Sequence, residues 1–167
     1  VAGAAALAAR QALPPPPPGE WRYIGGDAAQ TRYSALDQIT AGNFETLETA
    51  WVWRGDNFGP AVDYVSRSTP LYVDGVLYTV AGSRRTVVAI DPGTGETLWT
   101  YREPPTTRFD RGMRNNYGKG VAYGEIGGRR VIFYTSPAFF LHALDAKSGQ
   151  HVENWGARVP IPGFPSS

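Results

Sequence analysis

From Trp21 onward the apolar residues fall in short runs, each closed by a cluster of Gly, Asp, Asn or Pro. The i, i+3, i+4 spacing of an amphipathic helix is almost absent. Leu71–Val73 and residues 76–80, joined by Asp74-Gly75, predict a hairpin, because Asp-Gly accepts the positive φ of a two-residue turn. Thr86–Ile90 and residues 96–101, around Asp91-Pro92-Gly93-Thr94-Gly95, predict a second. Residues 121–123 and 130–135, across Gly127-Gly128, predict a third. Residues 140–144 and 151–155, across Asp145-Ala146-Lys147-Ser148-Gly149, predict a fourth. The best helical signal is one turn with Asn43 as N-cap and Phe44 and Leu47 on one side. The pattern predicts an all-β chain.

Two of these hairpins are copies. Ala89-Ile90-Asp91-Pro92-Gly93-Thr94-Gly95-Glu96 aligns with Ala143-Leu144-Asp145-Ala146-Lys147-Ser148-Gly149-Gln150 at an offset of 54 residues. Trp99 follows the first copy and Trp155 the second. In each copy the Asp side chain is suited to cap the turn through backbone N–H groups, and the Gly supplies the positive-φ position. The Trp offers a large flat ring to pack between neighbouring units. Another hairpin precedes each copy, so the repeating unit is a four-stranded sheet, the pattern of a β-propeller blade.

The composition narrows the function classes. With 42% hydrophobic and 19% charged residues, the chain can bury a core and is not generally disordered. A net charge of +1 over 167 residues excludes a broadly basic nucleic-acid binder. No cysteine is present, which rules out disulfides, thiolate metal sites and a Cys nucleophile, and two histidines are too few for a His-rich metal centre. The first nine residues, Ala-rich and apolar, are half the length of a membrane span. They read as the remnant of a secretory signal or as a disordered leader, followed by Pro14 to Pro18 as a stiff polyproline spacer. We therefore divide the chain into a leader, 1–20, and an incomplete propeller, 21–167.

The ordered set of motifs resembles the quinoprotein dehydrogenases, enzymes that use pyrroloquinoline quinone (PQQ) to oxidise alcohols or sugars. Ala-x-Asp-x-x-(Thr/Ser)-Gly followed by Trp, present twice, is similar to the family's tryptophan-docking motif. Trp21-Arg22-Tyr23, Gly26-Asp27, Thr31-Arg32-Tyr33-Ser34 and Ala50-Trp51 resemble its opening block. Ser68-Thr69-Pro70-Leu71-Tyr72-Val73-Asp74-Gly75 and Lys119-Gly120-Val121-Ala122-Tyr123 resemble two later ones, so the likeness runs from Trp21 to Gly156. It implies an eight-bladed propeller, of which this chain holds two four-stranded blades plus part of a third. It further implies PQQ and calcium in the complete protein, an alcohol or sugar substrate, and a cytochrome or ubiquinone as electron acceptor. A periplasmic location follows from the family and the signal-like leader, with any membrane association confined to segments outside the propeller.

The same resemblance places the calcium ligands and catalytic Asp beyond Ser167. No residue here is therefore expected to be catalytic or metal-ligating, and the chain is expected to be inactive alone. Two cofactor contacts carry over. Thr135, ten residues before Asp145, stands where the family places a hydroxyl on the quinone, and Lys119 stands where it usually has an Arg beside the cofactor. Arg67 replaces the family's Glu before Ser68-Thr69-Pro70, a charge reversal that blocks transfer of that contact. The adjacent cysteines of many relatives are missing, and the loop before Gly120 instead carries Arg108, Arg111, Arg114 and Lys119 against Asp110. Such a loop suits a tricarboxylate like PQQ. A non-catalytic propeller acting as a protein-binding or assembly module is the other reading the sequence leaves open.

Overall fold

The computed structural model describes residues 15–59, 65, 67–111 and 120–156. β1 (Leu71–Val73), β2 (Val76–Ala81), β3 (Thr86–Ile90) and β4 (Thr97–Tyr101) form one antiparallel sheet in sequence order. β5 (Val121–Ile126), β6 (Arg129–Thr135) and β7 (Leu141–Asp145) form the second, also antiparallel and in order. Turn chemistry sets these boundaries. Asp74 and Gly75 both take positive φ, 49° and 77°, as do Gly127 and Gly128, so each pair closes a two-residue hairpin whose twist matches its strands.

The sheets pack face to face. Leu71, Tyr78, Ala89 and Trp99 lie in one row across the first sheet, and Val80, Val87 and Tyr101 in another. Both rows meet Val121, Tyr123, Ile132, Tyr134, Leu144 and Ala146 of the second sheet. All five residues of β3 are buried, because the opposite face is covered as well. There the segment after Trp51 crosses the sheet: Trp53 Nε1 donates to Thr97 Oγ1 at 3.0 Å, and the Phe58 backbone lies against Gly82. Trp21 extends the β1 edge of the first sheet through paired main-chain bonds with Tyr72, at 2.8 and 3.0 Å.

Three local features differ from the sequence pattern. Residues 151–155, read as the fourth strand of the second sheet, make a single bridge, His151 to Leu144, and one more bond from Val152 N–H to Ala143 O. The positive φ of Asn154, 56°, and of Gly156, 79°, turns the backbone out of extended geometry. Asn43 does precede a helical turn, a 3-10 turn over Phe44–Thr46, but its side chain does not cap it. Its Oδ1 instead accepts from Thr40 N–H at 2.7 Å and its Nδ2 donates to Gln38 O at 2.7 Å, closing the preceding loop. The third feature is a short helix, α1 (Thr107–Asp110), that the apolar pattern did not reveal, capped by Thr106 Oγ1 accepting from Phe109 N–H at 3.1 Å.

Candidate functional site

The antiparallel order separates the two ends of the sheets. One end carries the repeated turns. Asp91 Oδ1 accepts from Gly93 and Thr94 N–H at 2.8 and 3.0 Å, and Asp145 Oδ1 accepts from Lys147 and Ser148 N–H at 3.1 and 2.9 Å. Burial alone would raise the Asp145 carboxyl, but hydrogen bonds from the Ser148 hydroxyl and from the Ser148 and Lys147 amides outweigh it. They hold the group below the usual carboxylate range. Each turn receives an indole from the preceding unit. Trp51 lies on Gly95 and donates to Pro92 O at 2.8 Å, and Trp99 lies on Gly149 and donates to Ala146 O at 3.0 Å. Gly is required at both positions: φ is 75° and 71°, and a Cβ would sit within 3 Å of the ring. Pro92 and Ala146 are equivalent in the repeat, so the same contact is made twice. The acids Asp91 and Asp145 are thereby committed to structure, as the sequence pattern implied.

The opposite end gathers the segment before β1, the β2–β3 turn, α1, the start of β5 and the β6–β7 turn. Gly120 packs against Ser68, which brings the entries of β1 and β5 together. This rim is cationic: Arg67, Arg84, Arg85, Arg102, Arg108 and Arg111 stand against Glu103 and Asp110. The Arg84 guanidinium lies 4.5 Å from the Phe109 ring centre and that of Arg108 lies 4.7 Å from Phe140. Arg85 is only 2% exposed. Its Nη1 donates to the carbonyls of Thr135 and Ser136 at 3.4 Å each, and Arg108 Nη1 donates to Ala138 O at 3.4 Å.

Thr135, proposed from sequence as a cofactor contact, ends β6 on this rim. It is half-buried, pairs with Leu141, and its hydroxyl makes no hydrogen bond among the described residues. By strand alternation it shares a face with Val131 and Phe133, opposite Ile132 and Tyr134, which fill the core between the sheets. Lys119, the other proposed contact, lies outside the described residues, as does most of the cationic loop before Gly120. Arg67 is exposed at the same end.

Between the sheets, beside the rim, the structure assembles a cluster that spacing along the chain did not reveal. His142 Nε2 and Glu103 Oε1 are 3.1 Å apart, with Glu103 buried and His142 half-buried. His151 Nε2 lies 2.6 Å from Tyr101 Oη, and the two imidazole rings are 5.0 Å apart. Burial, reinforced by the Glu103 charge, pushes Tyr101 up to about 12, and burial followed by the His142 charge lowers His151. Among the described residues no group of three or more His, Cys, Asp or Glu is arranged to hold a metal ion. A cavity beside Arg84, Glu103 and Phe109, about 10 Å³, has room for one water and not for a quinone. A larger half-open groove, about 310 Å³, lies along Arg129, Asp145, Gln150 and His151, by the turn end and away from Thr135. Among the described residues the rim therefore offers the Thr135 hydroxyl and a concentration of guanidinium charge to one side of an anionic ligand.

Residues 21–161 match the family "PQQ: Glucose/ethanol/alcohol dehydrogenase, beta-propeller domain". The chain is 36% identical over 137 residues to the dehydrogenase subunit of an alcohol dehydrogenase (quinone) from Gluconobacter oxydans (strain 621H), covering 81% of this chain and 17% of that protein. It is likewise 36% identical to the crystal structure of the quinohemoprotein alcohol dehydrogenase from Comamonas testosteroni, with a TM-score of 0.61 over 80% of this chain and 18% of that one. A quinohemoprotein alcohol dehydrogenase from Pseudomonas putida HK5 superimposes with a TM-score of 0.65 at 32% identity, over 80% of this chain and 18% of that one. The chain thus spans less than a fifth of these relatives. The family match over residues 21–161 and the 36% identity to these dehydrogenases agree with the two adjacent antiparallel sheets, and the chain belongs to the PQQ-dependent glucose/ethanol/alcohol dehydrogenase beta-propeller family.

Proposed function

We propose that this chain is the N-terminal portion of a periplasmic PQQ-dependent dehydrogenase that oxidises alcohols or sugars, and that its cationic rim forms one wall of the quinone site. The observation that carries this reading is the placement of Thr135, a strand-end hydroxyl without a partner among the described residues, on the same end as the arginines. When bound, PQQ would supply the two-electron acceptor for oxidation of the substrate carbon. Thr135 would donate to a quinone oxygen, Lys119 would supply a cation beside the cofactor, and the rim arginines would favour its carboxylates. Calcium, the catalytic Asp and the substrate pocket belong to parts of the enzyme that these residues do not build. The alcohol-oxidising relatives favour an alcohol as substrate, with a cytochrome or ubiquinone as acceptor. The signal-like first nine residues support export.

The test is dye-linked oxidation of alcohols and sugars in the presence of PQQ and calcium. The 167-residue chain alone is expected to give no turnover, and the full-length protein to reduce dye with alcohols. Turnover by the chain alone would refute the division of labour. A full-length protein that neither binds PQQ nor reduces dye would instead favour a non-catalytic propeller that binds other proteins.

A further inference from the structure

Arg85 is the largest side chain that is fully buried in the described structure, and burying a guanidinium is costly unless it is well bonded. It projects from the turn between β2 and β3, where its own backbone takes a positive φ of 50°, and it reaches across to the second sheet. There it donates to two successive carbonyls, of Thr135 and Ser136. Arg108, from α1, takes a third carbonyl of the same turn, Ala138, while its guanidinium covers Phe140. The turn is also closed internally. Ser136 N–H donates to Phe140 O at 2.8 Å, Phe139 N–H to Ser136 O at 2.9 Å, and Phe140 N–H to Ser136 Oγ at 3.1 Å. Phe139 is held at a positive φ of 61° within it. A strand end that needed only to turn back would not require two cations from the neighbouring unit.

We propose that Arg85 is a positioning residue for the quinone site: it fixes the main chain of Thr135 and Ser136 from the neighbouring blade, so that the Thr135 hydroxyl is presented at a set place and angle, with Arg108 as its auxiliary. This rests on the reading of Thr135 as a quinone contact. The physical reason for an arginine is geometric. Both bonds come from Nη1, whose two N–H groups are fixed in the guanidinium plane and diverge towards the neighbouring carbonyls, whereas a lysine ammonium turns freely about its last bond. Hydroxyl donors are sensitive to sub-ångström placement, so loosening the anchor weakens quinone binding without removing any atom that touches the quinone.

The experiment compares Arg85→Lys, Arg108→Lys and Thr135→Val with the parent. Backbone amide exchange and PQQ titration followed by absorbance are both measured on the full-length protein. Arg85→Lys keeps the buried cation, and Arg108→Lys alters a more exposed side chain, so a folded variant is available even if one of them is destabilised. The expected result is exchange of the Ser136 and Phe139 amides about tenfold faster in Arg85→Lys, with the β2 and β3 amides unchanged. PQQ dissociation constants rise about tenfold in both Arg85→Lys and Thr135→Val, with a shifted spectrum of the bound quinone, and a smaller rise accompanies Arg108→Lys. Unchanged exchange at the turn in Arg85→Lys overturns the inference. So does a loosened turn with parental PQQ affinity and spectrum, since Arg85 would then serve only to join the sheets. Parental affinity in Thr135→Val sinks the reading of Thr135 itself, whatever Arg85 does.

Discussion

The carbonyl of Ala146 accepts from two donors, the buried Tyr78 Oη and the half-buried Trp99 Nε1, each at 3.0 Å. One backbone oxygen of the second repeat thus fixes both a core phenol and a docking indole from the first sheet. Burial pushes Tyr78 up to about 12, with the Asp74 charge adding to it, so the phenol stays a donor at all ordinary pH. Replacing Trp99 with Phe keeps most of the ring over Gly149 but deletes its hydrogen bond. Urea denaturation should show a loss of about 1–2 kcal/mol, against about 3 kcal/mol or more for Trp99→Ala. Asp145 supplies a pH test. Its carboxyl is held low in the folded chain, so the unfolded state binds more protons as the solution is acidified. Its stabilisation is complete above the usual carboxylate range and is lost as the pH falls through the lowered folded value. Asp145→Asn retains an acceptor for the turn amides but not the charge. It should be about 1 kcal/mol less stable than the parent at pH 7, with the gap closing in acid, as read from denaturation midpoints across pH. A gap independent of pH would contradict the assignment.

Hairpins were the legible elements because their signals are local. Asp74-Gly75, Gly127-Gly128 and the two Asp–Gly turns each state their own φ requirement, and the strands between them follow. Elements that depend on distant packing were not legible. Residues 151–155 have the composition of a strand, yet the positive φ at Asn154 ends the pairing after one bridge. The α1 turn is too short for periodicity to show, and its visible mark is Thr106 as a cap before Arg108 and Phe109. What holds α1 is tertiary: Arg84 covers Phe109 from the β2–β3 turn. Thr106→Ala should therefore cost about 1 kcal/mol and speed exchange of the Phe109 amide. The core strands should be unaffected. Loss of protection across β3 would show that α1 is integral to the sheet rather than an appendage of the rim.

At the scale of the molecule the two ends have separate work. The turn end is occupied by Asp caps, glycines and indoles that lock one unit to the next, while the rim carries the arginines and Thr135. The family, the all-β architecture and the contact between units could be read from repeats and motif order. Arg85 could not. Arg84-Arg85 looks like an ordinary exposed pair between apolar runs, and only the facing sheet buries the second of them. The Glu103–His142 pair, 39 residues apart, is hidden for the same reason. The central claim, that this rim forms part of a PQQ site, is tested most directly by titrating the full-length protein with PQQ in the presence of calcium and following the quinone absorbance. The account predicts saturable binding, weakened about tenfold by Thr135→Val and also by Lys119→Met. Saturable binding indifferent to both substitutions, or none at all, would contradict it.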